Sequence, residues 1–390
     1  FLITENGQLE KLVKDLEKRR YVSIDTESDS LYSYYYKLCL VQIESEGLTA
    51  IIDPFQTDMS IFLPILKSPD IEKIFHSAQS DIKVIKLAFK AEVRNIFDIM
   101  LAAKYLGIKR CGLDNLVRKY FGVNLNKKFQ KANWGKRPLE IELLNYAILD
   151  VIYLKKLRDA FIKELKTRHL LDELKEEFDF IADMEPVKAE FNSNGWLKIM
   201  KTKNLNFESA KVLKHLYLER ERMAKSMNIP PFKVISEEVM ATLARNAHEA
   251  LKNICQYKGI TPYVYKKHGE WIKRTIEKGL ADKCFTISYK AISPEKKAHF
   301  EKVKRRQKKL REWRREAAKK RGMLSEVIIS GELLDKIAYA NPKTLSELEC
   351  INGFLKSKLT LYGEEILDCL KMCAASSEFP SNKMVEPPEV

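Results

Sequence analysis

The order of apolar and polar positions divides the chain before any chemistry is considered. Leu9, Leu12, Val13 and Leu16 recur at helical spacing within Gly7–Lys18, whereas Val22 and Ile24 alternate with Ser23 and Asp25 in Tyr21–Glu27, as a strand requires. Further strands are predicted over Leu38–Glu44, Thr49–Asp53, Glu72–Phe75 and Arg94–Phe97, and helices over Met59–Leu66, Ser80–Phe89, Ile99–Leu106 and Leu113–Tyr120. Three strands in succession, followed by alternating helices and strands, predict an α/β domain with a mixed sheet flanked by helices. Gly122–Pro138 reads as a basic, aromatic-bearing loop. Leu139–Lys166 reads as one long amphipathic helix, with Leu144, Ile148, Val151 and Leu154 along its apolar stripe.

Beyond residue 167 the pattern is almost wholly helical and repeats itself. Under a shift of 94 residues, Leu216, Arg220, Ile235, Ser236, Ala244 and Gly259 fall on Leu310, Arg314, Ile329, Ser330, Ala338 and Gly353. Thirteen of the 61 pairs from Leu216 to Ile276 are identical, where chance gives about four. The expected organisation is therefore an α/β domain over residues 1–167, a helical connector over 168–212, and two copies of one all-α domain over 213–285 and 295–373. The Ser- and Pro-bearing tail 374–390 is expected to be disordered.

Composition narrows the class. No apolar run reaches the length that crosses a membrane. Seven scattered cysteines with no Cys-x-x-Cys pair argue for a reducing, cytoplasmic setting and against structural zinc. The chain begins at Phe1, so the natural N-terminus and any targeting segment are expected to lie before it. The net charge is +15, and fourteen Lys or Arg against three Glu place a net +11 within Lys296–Arg321. Such a concentration points to a polyanion such as nucleic acid.

Four Asp-x-Glu pairs occur, at Asp15, Asp25, Asp70 and Asp183, against about one or two expected by chance. Only Asp25 and Glu27 follow an apolar strand, which would set both carboxylates side by side on one face where they repel unless a cation lies between them. Tyr146 and Asp150, four residues apart, share a helix face away from the apolar stripe. Asp81 stands in the first turn of its helix, where capping explains it fully, and Asp98 at a strand end is read as structural.

Together these residues carry a resemblance. Asp25-Thr-Glu27, Phe75-His76-Ser-Ala-Gln-Ser-Asp81 and Tyr146-Ala-Ile-Leu-Asp150 resemble the DEDD 3′→5′ exonucleases in their tyrosine variant. Asn133-Trp134-Gly-Lys136-Arg137-Pro138, followed by the Tyr146 segment, is similar to the ribonuclease D family, and the two helical copies resemble HRDC domains. The resemblance implies an RNase H-like catalytic fold and a metal-dependent exoribonuclease that trims 3′ ends of tRNA precursors and other small structured RNAs, releasing 5′-mononucleotides. It implies catalytic roles for Asp25, Glu27, Asp81, Tyr146 and Asp150, with the four carboxylates holding two divalent ions, Mg²⁺ or Mn²⁺. Tyr146 is expected to orient the attacking water. Thr26, Leu31 and His76 are expected to meet the terminal nucleotides, Trp134, Lys136 and Arg137 to stack or bind phosphate, and Lys304, Arg305, Arg306, Lys308, Lys309 and Arg311 to grip the RNA body. A monomer is expected. Two rival readings are a DNA exonuclease of the same kind and a non-catalytic RNA-binding scaffold.

Overall fold

The computed structural model describes residues 1–187, 190–287 and 293–375. The tail expected to be disordered lies, from residue 376, outside the described residues. The first part of the chain runs β1 (Leu2–Ile3), α1 (Asn6–Leu16), β2 (Tyr21–Ser28), β3 (Leu38–Ser45), β4 (Leu48–Ile52), α2 (Leu63–Lys67), β5 (Glu72–Phe75) and α3 (Ala78–Phe89). It continues through β6 (Ile96–Asp98), α4 (Ile99–Tyr105), α5 (Leu113–Phe121), α6 (Ile141–Ile152), α7 (Leu154–Thr167) and α8 (Leu171–Asp183). The strands form one mixed sheet in the order β1-β4-β3-β2-β5-β6. The β2–β3 and β3–β4 pairs are antiparallel, and the β1–β4, β2–β5 and β5–β6 pairs are parallel.

Three features depart from the expected pattern. The two-residue β1 is too short for alternation to reveal, yet it extends the sheet beside β4. The predicted long helix is broken at Tyr153, whose ring stacks on Phe121 at 5.7 Å. The break is hidden in sequence because both halves keep an apolar face. The stripe itself is rotated: Tyr146, Ala147, Val151 and Leu154 are buried, and Leu144 and Ile148 only half so. Tyr146 therefore packs into the body of the domain and does not stand clear of it.

The helical remainder repeats in structure as in sequence. Arg220 donates to the carbonyl of Ile235 at 3.4 Å, and Arg314 donates to that of Ile329 at 2.9 Å. Ser236 caps Glu237–Arg245 by accepting from Val239 N–H, and Ser330 caps Gly331–Ala340 by accepting from Leu333 N–H. Gly259 and Gly353 both hold positive φ, near +96° and +91°, a conformation that side chains disfavour.

The two copies dock differently. Val303, Leu310, Ile328, Ile337 and Ile366 of the second copy belong to the same apolar core as the α/β domain, whereas the first copy has its own core around Leu213, Leu216 and Ile272. At the second copy's interface Lys358, 3% exposed, donates to Glu173 of α8 at 2.7 Å and to the Tyr105 hydroxyl of α4 at 2.8 Å. Arg321 pairs with the other oxygen of Glu173 at 2.8 Å. Glu176 accepts from the N–H groups of Lys356 and Ser357, satisfying the start of the last helix from outside it. No helix among the described residues is long and apolar enough to cross a membrane.

Changing Lys358 to Met keeps the bulk of the side chain and strips Glu173 of one cationic partner in a buried setting. The expected loss is about 3 kcal/mol of unfolding free energy, read as a lower urea midpoint. A midpoint equal to the parent's would mean that apolar packing alone docks the second copy.

Candidate active site

β2 delivers Asp25 and Glu27 to one face of the sheet, as its pleat dictates. Asp25 stands across from Gln42 of β3 and Glu27 across from Leu40, after which the ladder skips a residue so that Ser28 meets Leu38. This bulge bends the strand where the tyrosine-rich loop begins. α6 brings a third carboxylate. Oxygen atoms of Asp25, Glu27 and Asp150 lie within 4.8 Å of one another, and Tyr146, one turn earlier on α6, lines the same groove. Asp81 enters from α3 and is buried; its carboxylate accepts a hydrogen bond from Thr26 Oγ1 at 2.5 Å.

Asp81 does not cap its own helix. The start of α3 is held instead by Asp98, which accepts from the N–H groups of Ser77 (3.0 Å) and Ala78 (2.9 Å). The same carboxylate accepts from Met100 at 2.8 Å and Leu101 at 3.2 Å at the head of α4. Ser77 thereby keeps a φ of +68°, unusual for a residue with a Cβ. One structural carboxylate thus fixes the turn that aims another.

The electrostatics follow from burial and from like charge. Burial first, then the charges of Asp81, Asp150 and Glu27, push the Asp25 carboxyl well above its usual range. Burial, with Asp150 and Asp81, pushes Glu27 up to about 8. Burial raises Asp81 to about 7, against the Thr26 hydrogen bond that favours its charge, and raises Asp150 to about 6. The Tyr146 phenol is also raised, by burial and by the three acids facing it. Among the described residues no Lys, Arg or His forms an ion pair with any of the four acids. An all-oxygen donor set without a counter-charge fits a hard divalent ion such as Mg²⁺ or Mn²⁺.

Of the remaining expected residues, Thr26, Leu31 and His76 line the groove. Leu31 is 40% exposed, and His76 Nε2 donates to the Cys111 carbonyl at 2.8 Å. Trp134 and Arg137 are placed elsewhere. Trp134 is 1% exposed, stacked on Tyr146 with ring centres 6.2 Å apart, so it backs the tyrosine and meets no base. Arg137 forks onto the buried Asp53 carboxylate, from Nε at 2.7 Å and from Nη2 at 2.8 Å, and also donates to the carbonyls of Trp134, Lys136 and Cys39. Its guanidinium is fully engaged in holding the loop to the sheet, leaving none of it for phosphate. Lys136 is exposed but does not line the groove. Arg306 is buried, unlike the exposed Lys304, Arg305, Lys308, Lys309 and Arg311, and none of these six lines the groove. Gln130 and Lys131 do line it and went unnoticed in sequence. Their only signal was membership of the basic loop, which the Tyr32 hydroxyl anchors by donating to the Lys131 carbonyl at 2.6 Å.

Residues 1–166 match a 3′-5′ exonuclease family model, and residues 209–276 and 304–370 match the HRDC domain. The ribonuclease D of Zymomonas mobilis subsp. mobilis is 31% identical over 274 residues, 67% of each chain. In fold, the chain is similar to the crystal structure of Escherichia coli RNase D, an exoribonuclease involved in structured RNA processing. The TM-score is 0.65 at 21% identity, over 95% of this chain and 98% of that one. A protein from Bifidobacterium adolescentis is similar at a TM-score of 0.73 and 19% identity, over 95% and 96%.

The raised carboxylates make a stability prediction. Between about pH 4 and 8 the folded state holds more protons than the unfolded chain, so the metal-free protein loses stability as pH rises through that window. In chelator its thermal midpoint is expected to fall by about 5 °C between pH 5.5 and 8.5. Mg²⁺ or Mn²⁺ should reverse the fall, more so at the higher pH, and Asp25→Asn should flatten it. A metal-insensitive profile that is flat in the parent would show that the four acids are not coupled.

Proposed function

We infer, because this chain belongs to the ribonuclease D family and is a 3′→5′ exoribonuclease, that it trims the 3′ ends of tRNA precursors and other small structured RNAs and releases 5′-mononucleotides. The observation that carries the reading is the convergence of Asp25, Glu27 and Asp150 within 4.8 Å, beside Asp81 and Tyr146 in an open groove. Residues 1–167 form the catalytic unit in this reading, joined by the connector 168–212 to the helical units 213–285 and 295–373.

Asp25, Glu27 and Asp150 would hold one divalent ion, and Asp25 with Asp81 a second. Bound there, a pair of such ions supplies a nucleophile from water and stabilises the charge that develops on the phosphate. The residues provide the geometry. Thr26 fixes Asp81 by its hydrogen bond, so the fourth acid faces the groove in one rotamer. Tyr146, stacked on Trp134, lines the same groove, and its hydroxyl would orient the attacking water. A phenol pushed above its ordinary value stays protonated at neutral pH and acts by orienting that water, not by removing its proton. Leu31 and His76 flank the groove, where they are suited to pack against the terminal base and to steady the sugar or backbone.

The test uses end-labelled RNA with a short single-stranded 3′ tail and an equal-length DNA strand, with Mg²⁺ or Mn²⁺. Stepwise shortening from the 3′ end is expected on RNA. Asp25→Asn should abolish it, to below about 10⁻³ of the parent rate. Tyr146→Phe should lower kcat by roughly 10²-fold with KM little changed. Faster shortening of DNA would overturn the substrate class, and undiminished activity in Asp25→Asn would overturn the site.

A further inference from the structure

The second helical copy carries a groove that the catalytic site does not explain. It lies between the helix Pro294–Arg321 and the helix Gly331–Ala340, and is lined by Phe300, Val303, Lys297, Lys304, Gln307 and Tyr339. Phe300 is 47% exposed and Tyr339 63%, so two large rings face solvent where packing does not need them. His299 joins them, its ring centre 5.5 Å from that of Tyr339 and 6.2 Å from that of Phe300. The charges here nearly cancel, since Lys297 and Lys304 face Glu301 and Asp335.

A second groove continues from the first along the same helix and shares Lys304 and Gln307 with it. Its other members include Lys308, Arg311, Arg314 and Arg315, against one Glu312. Arg311 and Arg314 are partly engaged, with Asp335 and the Ile329 carbonyl. Among the described residues Arg305, Lys308 and Arg315 have no ion pair. The surface thus joins a near-neutral aromatic trough to a cationic one. A flat apolar face repeated beside a line of fixed positive charge matches one polymer in particular, a strand whose bases are unpaired and whose phosphates run alongside. A duplex hides its base faces and offers nothing to Phe300 and Tyr339. An acidic protein segment would satisfy the cations, but would meet the rings only where it also carried apolar side chains in matching register.

We propose that Phe300 and Tyr339 form a base-stacking platform for single-stranded RNA, with Lys308 and Arg315 following its backbone. The inference rests on the exoribonuclease reading and adds to it that the second copy selects unpaired RNA, where charge alone would hold any RNA. Such a platform seats a single-stranded stretch of the substrate away from the catalytic groove.

The test is fluorescence anisotropy with the full chain carrying Asp25→Asn, so that bound RNA is not consumed. The probes are an unstructured oligoribonucleotide, the same strand without its bases, and a blunt RNA hairpin. Phe300→Ala with Tyr339→Ala is expected to weaken the unstructured strand by at least about fivefold. Binding of the abasic strand and the hairpin should be unchanged. Lys308→Ala with Arg315→Ala should weaken all three and lower the salt dependence. Equal losses on all three probes in the aromatic variant, or no loss on any, would overturn the proposal. Shortening of a labelled RNA by the parent with Asp25 intact is measured alongside. Its absence would sink the exoribonuclease reading, whereas its presence with unaltered binding by the aromatic variant would sink the platform alone.

Discussion

Mutual repulsion among half-buried and buried carboxylates is the constraint on which the rest of this structure depends. Asp25, Glu27, Asp81 and Asp150 come from β2, α3 and α6, and among the described residues no cation is ion-paired to any of them. Left to itself such a cluster would disperse, since each charge raises the cost of its neighbours' ionisation. It stays together because every element that carries an acid is fixed from behind. β2 lies inside the sheet between β3 and β5. α3 is held at its start by Asp98. α6 rests on Trp134, and the loop carrying Trp134 is tied down by the Arg137–Asp53 pair. A buried pair of this sort contributes specificity of position more dependably than net stability, and position is what the cluster requires.

The two helical copies relate to this centre in contrasting ways. The second shares the apolar core of the α/β domain and is pinned by Lys358 and Arg321 on Glu173. Gly107 and Gly322 pass so closely that a Cβ on Gly107 would clash with the Gly322 carbonyl oxygen. That copy is built in. The first copy meets the α/β domain at the tyrosine-rich loop that follows β2. Tyr34 donates to Glu221, Tyr35 N–H donates to the Asn228 side chain at 3.0 Å, and Lys233 lies 3.6 Å over the Tyr32 ring. These contacts are polar and partly exposed, the kind that are exchanged with water at little net cost. Their placement matters more than their strength. Leu31, next to Tyr32, lines the carboxylate groove, so the first copy abuts the rim of the site through the loop between β2 and β3.

Much of this was legible in the residue pattern, and the failures share one cause. The strand bearing Asp25 and Glu27 declared itself by alternation, and the duplication survived as thirteen identities at one shift. Arg220 and Arg314 kept their identity because each holds a carbonyl in its own copy. Trp134 and Arg137 were misassigned because polar and aromatic residues in a basic loop look like nucleic-acid contacts. Sequence gives a side chain's chemistry but not the direction it points. Arg137 turned inward because Asp53, 84 positions earlier, was buried and needed a cation. Arg306 was misread for the same reason, since one residue in a basic run faces the core by helical geometry alone.

The same reasoning bears on the basic helix. Read as a run of charge, Pro294–Arg321 is a uniform polyanion-binding rod. Folded against Gly331–Ala340, it divides by face and by length. Val303, Arg306 and Leu310 are buried, Lys304 and Lys308 are exposed, and the exposed Phe300 stands one helical turn before Lys304. A rod of charge alone would grip any polyanion, folded or extended, with affinity set by salt. Rings interposed at one end make the surface unequal along its length. Discrimination between a paired and an unpaired strand needs that inequality, because the two differ in exposed base area far more than in phosphate charge.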